Sequence, residues 1–139
     1  MTNSFREKGS AVPPRFIEAG NEISLALLDI EFDVFEQYKT KEDRIDARRA
    51  VHEQVRQKYG LASAREAVRC REISALVANR PLMMHLFDYD ELKAMCMLRV
   101  KPALVDQFVA AKRRTSSFGL PDILGLALRA KERHDWGWD

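Results

Sequence analysis

The chain is 139 residues long, 46% hydrophobic and 32% charged, with only 6 Gly and 5 Pro. That balance excludes a disordered chain and a loop-rich all-β protein, and the length allows a core to form without staples. The net charge of +2 excludes nothing alone, while no apolar run approaches the roughly 18–20 residues of a membrane span.

Charge is distributed unevenly. Residues 21–38 carry five acids and no Lys or Arg, residues 39–71 carry ten Lys/Arg against five acids, and residues 99–114 carry five against one. Solvated helix faces explain such blocks about as well as a charged partner does. The N-terminal MTNSFREKGS lacks the apolar stretch of a secretory signal, and Cys70 and Cys96 lie far apart in helical patterns. Two reduced thiols in a cytoplasmic protein are expected.

Residues 1–12 read as a flexible tail and residues 13–139 as one helical domain. Val12-Pro13-Pro14 reads as an extended approach to the first helix. That helix is expected from Asn21, as N-cap, to Tyr38, because Ile23, Leu27, Ile30, Val34 and Tyr38 recur at spacings of three or four. Leu25, Leu28, Phe32 and Phe35 widen its apolar face, as in a central helix with more than one neighbour. A second helix is expected from Lys41 to Tyr59, capped by Thr40 and stopped by Gly60. Ala47, Val51, Val55 and Tyr59 form its narrow apolar stripe. Lys41, Arg44, Arg48, His52 and Arg56 form a basic stripe beside it.

Ser63 to Glu66 has the spacing of a capping box, so a third helix begins at Ala64 and ends near Asn79-Arg80, before Pro81. Its stripe is Ala67, Cys70, Ser74 and Val77. Leu82 to Phe87 is a linker or a single turn. Asp88 caps a fourth helix that runs to about Leu98. Pro102 suits the first position of a fifth, whose last residues Lys112, Arg113 and Arg114 suit the negative end of its dipole. Pro121 opens a sixth helix through about Arg133. The fold class is therefore all-α, a bundle of five to six helices.

Nothing in the chain marks an enzyme. It has no glycine-rich phosphate loop, GxSxG or HExxH. His52, His85 and His134 are not at metal-ligand spacing with a cysteine. Capping explains Asp88, Asp90 and Glu91, and cysteines in apolar stripes usually act as small hydrophobes. Neither a metal nor a small-molecule cofactor is expected.

Residues 88–114 match the layout of a DNA-binding helix-turn-helix. Leu92 and Met95 face inward, Leu98 and Val100 bracket the turn, and Val105 and Phe108 anchor the second helix from behind. Arg99 occupies the turn position where glycine is usual, because the chain there tends to need φ > 0. Met95 replaces a small residue. Gln107 on the outer face suits adenine, whereas Asp106 would repel phosphate. Arg44, Arg48, Arg56, Arg99, Lys101, Lys112, Arg113 and Arg114 are the cations expected against duplex DNA. An ordinary hairpin within a bundle fits the same residues.

The sixth helix is apolar nearly all round. Ile123 and Ala127 lie on one side, and Leu120, Leu124 and Leu128 form a row on another. With Trp136 and Trp138 they are expected to bury surface against a second copy or a partner protein.

Ala94-Met95, Leu98, Val100, Leu104 and Ala110-Ala111, followed by Leu120-Pro121, Leu126-Ala127 and Trp136-Gly-Trp138-Asp139, resemble the small D subunit of the bacterial flagellar master transcriptional regulator. The resemblance covers residues 93–139. Arg99 stands where that family has glycine, the loop around 112–119 is longer, and residues 1–70 have no counterpart. It implies a dimeric DNA-associated regulator working with a partner protein. Function thus reads first as transcriptional regulation through a helix-turn-helix. The alternative is a non-enzymatic helical interaction module (adaptor, chaperone or inhibitor) using the sixth helix and the Trp tail.

Overall fold

The computed structural model describes residues 11–133, and among them it is all-helical, with seven helices and no strand. The expected tail at residues 1–10, together with Trp136 and Trp138, lies outside the described residues. Val12, counted with the tail in the sequence, is buried. No described helix is long and apolar enough to cross a membrane. The chain divides into two compact units, with boundaries between Val12 and Pro13 and between Ala78 and Asn79, the latter inside the stretch read as one domain.

The first unit, residues 13–78, contains α1 (Pro14–Phe32), α2 (Lys41–Tyr59) and α3 (Ala64–Ala78), which pack pairwise on one another. The start of α1 corrects the sequence reading. Pro14 is its first residue, not part of an extended approach, and Asn21 is an exposed mid-helix residue rather than the N-cap. Proline fits there because its φ is already helical and its missing N–H would have had no partner. The end moves too. Asp33 adopts φ 44° and its carboxylate accepts the Gln37 and Tyr38 backbone N–H groups at 2.7 and 3.1 Å. The side chain thereby satisfies a loop where the periodicity implied two more helical turns.

α1 meets α3 at very close range through Gly20. A methyl group there would overlap the Ser74 hydroxyl and the Cys70 carbonyl, so only glycine lets the two backbones approach. The Ser74 hydroxyl donates to the Ile17 carbonyl at 3.1 Å, which satisfies a buried polar group within the same contact. Ala67, Cys70, Ser74 and Val77 are all buried, as their spacing indicates. Both ends of α2 follow the sequence. Thr40 and Asp43 form a reciprocal capping box, and Gly60 closes the helix at φ 66°.

The second unit joins the stretch up to Val12 with the residues from Asn79 on, and contains α4 (Met83–Leu86), α5 (Tyr89–Met97), α6 (Pro102–Arg114) and α7 (Leu120–Arg133). α7 packs on α5, and the single turn α4 packs on α6. Asp88 and Glu91 form the capping box of α5. Leu92, Met95, Leu104, Val105, Phe108, Ile123 and Ala127 are buried. The Phe108 and Phe118 ring centroids lie 5.9 Å apart in a tilted pair.

Candidate functional site

The connection between α5 and α6 is a complete Schellman turn. Val100 N–H reaches the Met95 carbonyl at 3.1 Å and Arg99 N–H reaches the Cys96 carbonyl at 3.1 Å. Arg99 between them sits at φ 54°. This motif needs one left-handed residue just after the helix, which is why glycine is usual there. Arginine takes the same conformation at a cost of about 1 kcal/mol. The change of direction therefore survives the missing glycine, and Pro102 starts α6 at its first position.

α6 has two distinct sides. Leu104, Val105 and Phe108 are buried, and Ala103, Asp106, Gln107, Ala110, Arg113 and Arg114 are exposed along the other face. Asp106 accepts a bond from Arg80 Nε at 2.9 Å. The negative charge that would oppose a phosphate is thus offset by a cation the sequence reading did not include.

The expected DNA-contacting cations are divided between the two units. Arg44, Arg48 and Arg56 belong to the unit of residues 13–78, and the other five to the second unit. Arg44 is half-buried and donates to the Tyr38 carbonyl at 3.2 Å, while Arg48 is exposed. Arg56 grips the Glu53 carboxylate with two bonds of 2.6 and 3.0 Å. That pairing, with Gln57 second, holds the Glu53 carboxyl down to about 2. Arg56 is therefore already engaged.

Lys112 also departs from its expected role. Its side chain is only 16% exposed and lies 3.4 Å from Glu91. It donates to the Phe118 carbonyl at 2.6 Å and sits over the Phe87 ring at 5.8 Å. Lys112 is a structural cation that ties α6 to α5 and to the loop before α7. Arg99, Arg113 and Arg114 remain exposed, and Lys101 is half-buried.

On α7, Ile123 is fully buried and so is a core residue rather than an interface residue. Leu124 and Leu128 are 38% and 54% exposed, and Leu120 is half-buried. The second apolar row is thus left at the surface. Leu128 and Lys131 line a cleft of about 480 Å³ together with Met97, Leu98, Arg99 and Lys101. Lys131 and the exposed Met97 were missed in the sequence, because only the packing of α7 on α5 brings them beside the turn.

The cysteines offer no reactive centre in the first unit. Burial, with Glu66 adding to it, pushes the Cys70 thiol up to about 11, far from the depressed values of nucleophilic thiols. Among the described residues, no three His, Cys, Asp or Glu side chains come together as metal ligands.

No protein-family model, curated protein sequence or solved structure matches this chain.

Proposed function

We propose that the chain is a DNA-associated transcriptional regulatory protein that sets α6 against the major groove of duplex DNA. The observation that carries this reading is the turn at Arg99, closed by both Schellman bonds, followed by a helix whose outer face carries Gln107, Arg113 and Arg114. A recognition helix needs that combination: a fixed turn before it, apolar anchors behind it, and an outer face free to meet base edges and phosphates. The small side chains Ala103 and Ala110 on this face let a helix approach closely, and the Arg80 partner of Asp106 lowers the repulsion there. Gln107 offers the paired donor and acceptor that suit adenine. Arg99, Lys101, Arg113 and Arg114 supply sequence-independent attraction to phosphates. The resemblance of residues 93–139 to the flagellar D subunit points the same way.

Pairing with a second copy or a partner protein belongs to the same reading, since helix-turn-helix proteins commonly read two half-sites as dimers. The exposed row Leu124 and Leu128 supports α7 as that surface. The test of base reading is selection of bound duplexes from a random pool, repeated with Gln107→Ala. The wild-type chain should enrich a short motif, and the variant should bind duplexes with that motif relaxed at one or two positions. If both proteins enrich identical sequences, Gln107 does not read bases. If neither enriches any, base reading is absent.

A further inference from the structure

α1 is apolar on two faces, and among the described residues only one of them is covered. Phe16, Ala19, Ile23 and Ile30 are buried. Leu25, Leu28 and Phe32 recur at i, i+3 and i+7 on another side and are 66%, 50% and 72% exposed. Val34 and Phe35 continue the surface beyond the helix at 78% and 82%. Five large apolar side chains this exposed in a span of eleven residues are not scattered singles but a patch.

The patch is built, not frayed. Asp33 and Glu36 hold left-handed backbone at φ 44° and 52°, and the Asp33 carboxylate binds two N–H groups of the following loop. The loop walls a cleft of about 460 Å³ with Phe32, Val34, Phe35 and Tyr38, and its carboxylates are those of Asp29 and Asp33. Glu31 and Glu36 are exposed beside it. Among the described residues, no Lys or Arg lines the cleft. Arg44 touches this loop by donating to the Tyr38 carbonyl.

We propose that this face docks a cationic amphipathic helix of a partner protein. The spacing of Leu25, Leu28 and Phe32 is that of a coiled-coil seam, which accepts the apolar stripe of one more helix. The positions that flank such a seam decide its partner by charge, and here Asp29 and Glu31 make them acidic, with Glu36 in the loop just beyond the helix. A second copy laid on the same seam would set carboxylates against carboxylates, which is destabilising. A helix with Lys or Arg at its flanking positions would pair with Asp29 and Glu31. The surface belongs to the unit of residues 13–78 and α6 to the other, and the test below reads helix binding without DNA, so the proposal stands or falls apart from DNA binding.

The test uses the full chain and two designed three-heptad helices with Leu along the seam, one with Lys and one with Glu at the flanking positions. Fluorescence anisotropy should show the Lys helix binding at least about tenfold more tightly than the Glu helix. Phe32→Glu should weaken the Lys helix by about tenfold or more, although it adds a negative charge. Non-specific attraction would instead strengthen. The double variant Asp29→Lys, Glu31→Lys keeps the apolar seam and should reverse the preference toward the Glu helix. Equal affinity for the two helices, or tighter binding by Phe32→Glu, overturns the proposal. So does sedimentation showing that the chain self-associates and that Phe32→Glu makes it monomeric, which would assign the face to a second copy.

Discussion

The ammonium of Lys112 lies 3.4 Å from the Glu91 carboxylate, and both side chains are largely buried, at 16% and 7% exposure. Glu91 also accepts the Asp88 N–H at 2.9 Å to cap α5. One carboxylate thus joins the start of α5 to the end of α6. Lys112→Met should cost about 2 kcal/mol, because it leaves a buried carboxylate oxygen without its donor. Denaturant unfolding measures this. The salt dependence of DNA binding should be unchanged in Lys112→Met at temperatures where it is folded. A lowered salt slope with unaltered stability would return Lys112 to the phosphate-contacting set.

Gly20→Ala is expected to destabilise residues 13–78 by about 3 kcal/mol. Its methyl group has to displace the Cys70 carbonyl as well as the Ser74 hydroxyl, and backbone yields less easily than a side-chain tip. Hydrogen exchange of α1 and α3 amides should report the loss. Wild-type protection in the variant would mean the helices can separate without penalty.

Arg99→Gly gives the opposite sign. Glycine removes the strain of φ 54° and should raise stability by about 1 kcal/mol. The same substitution deletes a cation beside the start of α6, so duplex affinity should fall while the midpoint of unfolding rises. If both fall together, Arg99 stabilises the turn through its side chain.

The sequence revealed more of α2 to α7 than of α1, for a physical reason. Thr40, Gly60, Ser63, Asp88 and Pro102 act on their immediate neighbours, so helix ends that depend on them are local events. α1 is bounded otherwise. Pro13-Pro14 resembles an approach and a first turn equally, and Asp33 ends the helix through bonds to residues four and five positions on. The same limit applies to the candidate site. The spacing of Leu92, Met95, Val105 and Phe108 disclosed the two-helix unit, and its turn position pointed to φ > 0, while the arginine there argued against it. The pairing of Arg80 with Asp106 spans 26 residues, and the pairing of Lys112 with Glu91 spans 21. Neither has a sequence signature, so the Arg80 partner of Asp106 and the buried contacts of Lys112 emerge only from the packing. The breadth of the apolar face of α1 was visible in the sequence. Whether a neighbouring helix covered it was not.

Leu124→Glu tests α7 as an association surface. Sedimentation at micromolar concentration should show a dimer or larger for the wild-type chain and a shift toward monomer for the variant. The variant should keep its helix content, since Leu124 is already at the surface. A monomeric wild-type chain would remove α7 from the interface reading.

The measurement that bears most directly on the central claim is duplex affinity of the full chain across a salt series, set beside the double variant Arg113→Ala, Arg114→Ala. Both arginines are exposed at the end of α6, so their removal should leave the fold intact. If α6 meets DNA, affinity should fall steeply as salt rises, because each neutralised phosphate releases its counterion. The double variant should bind all duplexes more weakly and show a shallower slope, by about 2 in log–log units. Absence of duplex binding at low salt, or an identical slope for the two proteins, would contradict the claim.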